Sequence, residues 1–250
     1  MDALQAIILG IVQGLTEWLP ISSKAQVTAV GIVFGIDPKV AFGYAILLHI
    51  GTLLAAIIVL WPEIKELFEQ KHKPLSKFLL IALLVTPITA LPSYLFFREN
   101  FLFSSFVIFA LIGVMLIITG LIQGWVKRVW QSNFSNKNAA ILGLAQGITA
   151  FPGLSRSGTT VSVLLFEGFS PEEAFRISFL LSIPSVFFAE IGFGIIEGVS
   201  FEPNLLFGII ASFIVGLISM KFLLKIAHRI NFSKFCIVFG IFYLILAFLI

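Results

Sequence analysis

The chain has 250 residues, 59% of them hydrophobic and 12% charged, against about 45–50% and about 25% in an average soluble domain. Its 16 basic and 13 acidic side chains are too few to cover a water-soluble fold of this size. The apolar runs are too long for barrel strands, so the composition predicts an all-α integral membrane protein in one membrane domain, 1–250. A net charge of +3 on scattered basic residues argues against a nucleic-acid partner, and a lone cysteine, Cys236, excludes a disulfide scaffold. Asp2 stands where a cleavable signal would carry basic residues, so none is expected.

The first apolar stretch, 3–34, is broken by a polar, proline-bearing turn, Trp18-Leu19-Pro20-Ile21-Ser22-Ser23-Lys24-Ala25-Gln26. A leg of about 14 helical residues rises only ~21 Å, short of a ~30 Å hydrocarbon core. The stretch therefore reads as a re-entrant helix hairpin with its tip inside the membrane. Three spans follow, near 40–61, 78–97 and 101–124, the first two separated by a short amphipathic segment within 62–73. A second broken stretch, 138–168, turns at Phe151-Pro152-Gly153-Leu154-Ser155-Arg156-Ser157-Gly158-Thr159-Thr160 and reads as a second hairpin. Spans near 174–196, 204–224 and 235–250 complete the chain.

The hairpins repeat one another. Residues 8–16, ILGIVQGLT, match residues 141–149, ILGLAQGIT, at six of nine positions. Each copy is one hairpin plus three crossings, an odd number, so the second copy is expected to be inverted. The repeats run about 1–126 and about 138–250. Gly10, Gly14, Gly143 and Gly147 recur at four-residue spacing, as close helix packing requires.

Basic residues set the orientation. With 62–77 cytoplasmic, the inside holds Lys65, Lys71, Lys73, Lys77, Lys127, Arg128, Lys137, Arg176, Lys221, Lys225, Arg229 and Lys234. The outside holds Lys39 and Arg98, and both termini come out external to a plasma membrane. Trp61, Trp125 and Trp130 fall at span ends, as in an aromatic belt, and Glu190 lies deeper in its span than the other acids. Only Lys24 and Arg156 are left, and both are on hairpin tips.

Charge at membrane depth costs roughly 2.5–3.5 kcal/mol even on the lenient insertion scale, so it marks a functional site by default. Glu17, Lys24 and Arg156 share the tips with Ser22, Ser23, Gln26, Ser155, Ser157, Gly158 and Thr160. Prolines 20 and 152 end the entering helices, and a new helix N-terminus begins beyond each. Two N-termini, a guanidinium fork and an ammonium make an anion site suited to phosphate or diphosphate. A carboxylate there implies a cation, a shared proton or a base, and Gln13 lies one turn before Glu17 on the same face. A plainer alternative is a structural Glu17–Arg156 ion pair locking the hairpins. His72 and His228 read as loop residues. His49, within a span, is a reserve for proton transfer, with helix packing its plainer role.

These residues resemble the undecaprenyl-diphosphate phosphatase, or bacitracin-resistance protein, family. The resemblance lies in Gln13-Gly14-Leu15-Thr16-Glu17-Trp18-Leu19-Pro20-Ile21-Ser22-Ser23, in Pro152 to Thr160, in Leu48 to Ala55 and in Ser178 to Pro184. It implies a homodimer of inverted-repeat protomers, a polyprenyl diphosphate substrate and a divalent cation, Mg²⁺ or Ca²⁺. It also implies loss of the terminal phosphate in carrier-lipid recycling. By resemblance Glu17 is the acidic residue, Gln13 its companion at the cation, Ser23 the nucleophile or phosphate ligand, and Arg156 the phosphate clamp. Ser155, Ser157 and Thr160 flank that clamp. The family's usual Ser-Ser-Thr-Gly-His reads Ser22-Ser23-Lys24-Ala25-Gln26 here, so its histidine is absent. On that reading Gln26→His supplies the missing proton-transfer group, while transport of a lipid phosphate or related anion stands as the alternative to hydrolysis.

Overall fold

Asp2 opens the first helix with a capping box: its side chain accepts from Gln5 N, and the Gln5 side chain accepts from Asp2 N. That helix, α1 (Ala3–Thr16), is followed by α2 (Ser23–Val33) and α3 (Pro38–Val59). Next come α4 (Trp61–Phe68), α5 (Lys73–Asn100), α6 (Ser105–Gly124) and α7 (Asn136–Ile148). The remainder is α8 (Arg156–Phe166), α9 (Pro171–Glu197), α10 (Leu205–Ile226) and α11 (Phe232–Ala247). The computed structural model describes residues 1–100, 105–124, 133–150, 154–197, 202–226 and 232–249, and every regular element among them is a helix. Trp125, Lys127, Arg128, Trp130, Phe151, Pro152, Gly153, His228 and Arg229 lie outside the described residues, as do the side chains of Arg98 and Glu190.

Among the described residues three helices are long and apolar enough to cross a membrane: α3, Lys73–Phe96 of α5, and α10. The other three expected spans coincide with α6, α9 and α11. Apolar side chains face outward at helical spacing, as at Ile210, Ile214 and Ile218 on α10, while Gln13, Glu17, Ser23, His49 and Thr52 are buried. That inside-out pattern suits a lipid solvent. The amphipathic segment forms α4, with no buried residue, and His72 beyond it pairs with Glu66 at 3.3 Å. In the segment before α10, the Tyr44 hydroxyl donates to Glu202 and holds its carboxyl below the ordinary carboxylate range.

Both broken stretches are pairs of short helices. α1 and α2 have 14 and 11 residues, α7 and α8 have 13 and 11. At 1.5 Å per residue each rises about 16–21 Å, less than a bilayer core. The first leg of each pair packs on a helix of the other half, α1 on α10 and α7 on α5. The repeated glycines permit this. A Cβ on Gly10 would lie 2.1 Å from the Gly208 carbonyl oxygen, and one on Gly14 2.8 Å from the Gly216 nitrogen. On the other side, Gly143 would meet the Ala82 oxygen at 2.4 Å and Gly147 the Thr89 hydroxyl at 2.1 Å. Backbones approach that closely only where no side chain intervenes.

Trp18 fixes the first tip. Its ring is 2% exposed, meets Phe179 edge-on at 5.3 Å, and donates its indole N–H to the Gly216 oxygen at 3.0 Å. The largest cluster of buried apolar side chains joins Trp18 to Phe78, Phe169, Phe175 and Phe179. The tip thus rests on side chains from both halves.

Candidate active site

The two tips meet along three successive contacts. Arg156 Nη2 lies 2.5 Å from Glu17 Oε1, Ser157 Oγ donates to the Leu19 oxygen at 2.9 Å, and a Cβ on Gly158 would come within 3.1 Å of Pro20 Cβ. The same Cβ would meet Thr119 Cγ2 of α6 at 2.7 Å, so Gly158 leaves no room for a side chain between the first tip and α6. At the start of α8, Ser155 caps the helix by accepting from Gly158 N at 3.1 Å. Thr160 Oγ1 donates to the Arg156 oxygen at 2.8 Å and shares a 2.6 Å bond with Ser178. The hydroxyls of Ser155, Ser157 and Thr160 thus hold the tip in shape and present Arg156.

Glu17, at the C-terminal end of α1, is the centre of the arrangement. Its Oε2 accepts from Gln13 Nε2 at 2.9 Å and from Ser23 Oγ at 2.5 Å. The same oxygen lies 3.1 Å from His49 Nε2, with both side chains nearly fully buried. Gln13 reaches Thr52 Oγ1 at 3.3 Å, and Ser23 Oγ lies 3.4 Å from His49 Nε2. Four helices therefore converge: α1 gives Gln13 and Glu17, α2 gives Ser23, α3 gives His49 and Thr52, and α8 gives Arg156.

The ion pair that the plainer reading expects is present, yet it uses only part of Arg156. Nη1 of the same guanidinium is buried without a hydrogen-bond partner among the described residues, and so is Gln13 Oε1. A buried donor left unpaired is costly, by about 1–3 kcal/mol and more for a charged group, unless a ligand takes it. Arg156 can thus hold Glu17 with one nitrogen and an incoming oxyanion with the other.

Ser22 is in the left-handed region at φ 58°, ψ 87°, and its side chain caps no backbone N–H of α2. A non-glycine residue there is strained by about 1–2 kcal/mol. The turn aims the next residue, Ser23, at Glu17. Lys24 follows in the first turn of α2 and is half-buried.

Gln26 is placed otherwise than the motif suggests. It is 6% exposed, donates Nε2 to the Ile21 oxygen at 2.9 Å, and accepts from the Tyr243 hydroxyl at 2.5 Å. One end of its amide closes the tip on Ile21, and the other ties the tip to Tyr243 on α11. His49, held in reserve on sequence grounds, instead stands against both Glu17 and Ser23.

A cation shared by Glu17 and Gln13 would have to compete with side chains that already hold Glu17. Arg156 donates to Glu17 Oε1, while Gln13, Ser23 and His49 all face Oε2, so Oε1 is the less crowded oxygen. Gln13 turns its amide nitrogen, not its oxygen, toward Glu17. Among the described residues no cluster of three His, Cys, Asp or Glu side chains could hold a metal.

Over nearly its whole length the chain is similar to known proteins. The chain is 41% identical, over 95% of each sequence, to an undecaprenyl-diphosphatase of Methanococcoides burtonii. It is 38% identical to an undecaprenyl-diphosphatase of Methanothrix thermoacetophila, over 96% of this chain and 95% of the relative. A third protein of that name, from Korarchaeum cryptofilum, is 38% identical over 96% of this chain and 98% of its own. Residues 6–248 match the family described as bacitracin resistance protein BacA. With matches of near-full length to the family and to its relatives, the chain belongs to the bacitracin resistance protein BacA family.

Proposed function

We propose that the protein is a membrane hydrolase acting on a long polyprenyl diphosphate, undecaprenyl diphosphate or a similar lipid. It releases inorganic phosphate and returns the lipid monophosphate for carrier-lipid recycling. The family and the names of its relatives support the activity. The observation that carries it to particular atoms is Ser23 Oγ, 2.5 Å from Glu17, beside a guanidinium with one buried, unpaired nitrogen. Transport needs an anion site but no hydroxyl aligned on a carboxylate, so the cluster favours hydrolysis.

In this reading Arg156 Nη1, Lys24 and the first-turn amides of α2 and α8 bind the terminal phosphate, with Ser22 and Gly158 lining its approach. Ser23 attacks phosphorus and Glu17 accepts its proton. The hairpins are re-entrant and the halves are inverted repeats, a reading supported by short legs and by the exchange of α1 onto α10 and α7 onto α5. The site then lies near mid-membrane, the prenyl tail leaves sideways into lipid, and the termini face the outside of the plasma membrane. A divalent cation enters as the companion of the diphosphate, since the protein offers it no ready cage.

The test is purified protein in detergent, supplied with undecaprenyl diphosphate and Mg²⁺. Equal yields of inorganic phosphate and lipid monophosphate are expected. A folded protein that releases no phosphate from any prenyl diphosphate overturns the reading. Substrate-free protein is expected to bind neither Mg²⁺ nor Ca²⁺ tightly in equilibrium dialysis.

A further inference from the structure

Three reactive atoms from three segments close a triangle. Ser23 Oγ is 2.5 Å from Glu17 Oε2, Glu17 Oε2 is 3.1 Å from His49 Nε2, and Nε2 is 3.4 Å from Oγ. The other ring nitrogen, Nδ1, lies 2.7 Å from the Ala45 oxygen. A carbonyl only accepts, so Nδ1 carries a hydrogen. Nε2 is then the ring atom turned to both Glu17 Oε2 and Ser23 Oγ, placed to exchange a proton with either. The charge facing the pair is Arg156 from α8 on Glu17 Oε1, and its neutral neighbours on Oε2 are the Ser23 hydroxyl from α2 and the Gln13 amide from α1.

We infer that His49 is the general acid that returns the proton to Ser23, the work that a first-motif histidine at position 26 was expected to do. This rests on the reading of Ser23 as nucleophile. In the first half-reaction Ser23 Oγ attacks the terminal phosphorus. The bond from that phosphorus to the bridging oxygen breaks, its electron pair leaves with the lipid monophosphate, and the hydroxyl proton passes to Glu17 Oε2. In the second, water attacks the phosphoserine. The P–Oγ bond breaks with its pair going to Oγ, and His49 Nε2–H delivers a proton there. The water's own protons leave on inorganic phosphate. Glu17 then returns its proton to Nε2. A proton that left Oγ along one edge of the triangle comes back by the other two, and no proton is gained or lost by the three groups.

The two leaving groups differ, and that makes the assignment testable. A lipid monophosphate departs as an anion without help, whereas a serine alkoxide needs an acid. Loss of His49 therefore slows the second half-reaction and spares the first. Gln26 is in no position to substitute, since its amide is bound at both ends by Ile21 and Tyr243.

The experiment uses the full chain and undecaprenyl diphosphate labelled with ³²P in the terminal phosphate. His49→Gln is expected to release about one lipid monophosphate per protein in a burst and to keep acid-stable label on Ser23. Its steady turnover falls by about 10²–10⁴-fold. His49→Ala behaves alike and regains turnover with added imidazole. The burst itself shows that the variant is folded. Turnover of His49→Gln within a few-fold of wild type, or a burst lost together with turnover and no imidazole response, overturns the role of His49. Wild type that releases no phosphate overturns the hydrolase reading and this inference with it.

Discussion

Arg156 and Glu17, 139 residues apart in the chain, meet at 2.5 Å across the joint of the two hairpin tips. Each lies next to a helix end, so the pair fixes the register of one tip on the other while leaving Arg156 Nη1 unpaired. One contact thus serves both structure and anion binding.

The two roles separate by substitution. Arg156→Lys keeps the charge but has no fork to span Glu17 and a phosphate oxygen together. It is expected to lower kcat/KM by about 10–100-fold, which is about 1.4–2.7 kcal/mol, with Tm close to wild type. Arg156→Ala additionally destabilises the fold by about 3 kcal/mol, the low end for a broken buried pair because His49 still faces Glu17. Enzyme assays and thermal melts in detergent check both. A Lys variant with full kcat/KM rules out the fork.

Gln26→His removes two hydrogen bonds, to Ile21 and from Tyr243, in a buried site. A loss of about 1–3 kcal/mol and no rise in phosphate release are expected. Tyr243→Phe, which cuts one of those bonds, is expected to lose less. A large gain in turnover by Gln26→His refutes the structural role given to Gln26.

Ser22→Gly relieves a left-handed residue. The strain of about 1–2 kcal/mol, less about 0.5–1 for the freer unfolded chain, leaves a gain of about 0.5–1 kcal/mol. Tm is expected to rise by about 1–4 °C. KM is expected to rise as well, because the hydroxyl proposed to line the phosphate path is gone. A lower Tm contradicts the strain argument.

Gly147→Ala sets a methyl 2.1 Å from the Thr89 hydroxyl and 2.3 Å from the Thr86 oxygen, whereas among the described residues a Cβ on Gly192 meets nothing within 4 Å. Overpacking at Gly147 is expected to cost about 1–3 kcal/mol or to abolish folding, while Gly192→Ala, inside α9, is expected to gain up to about 1 kcal/mol. Equal melts for the two variants remove the close-packing role of the repeated glycines.

How far the site could be read from sequence follows the reach of each interaction. Glu17 and Arg156 stand out because charge is scarce in apolar hairpins, and the structure places them together. The glycines of the nine-residue repeat are legible as packing positions because their spacing is local. Gln26 was opaque, since its partner Tyr243 is 217 residues away and a motif says nothing of tertiary partners. The hydroxyls of Ser155, Ser157 and Thr160 look like phosphate ligands in a row, yet each has an intramolecular bond that only the folded tip reveals. His49 was ambiguous because a packing histidine and a reactive one read alike in a single span. One signal was available: it is the only titratable side chain among the uncharged residues between Tyr44 and Glu63, and Thr52 lies three residues on, on the same helix face.

The most direct test of the central claim, that Ser23 reacts where the two tips join, is phosphate release by Ser23→Ala measured beside its binding of undecaprenyl diphosphate. Retained binding with release lowered by about 10³-fold or more is the predicted result. Release by Ser23→Ala at the wild-type rate would contradict it.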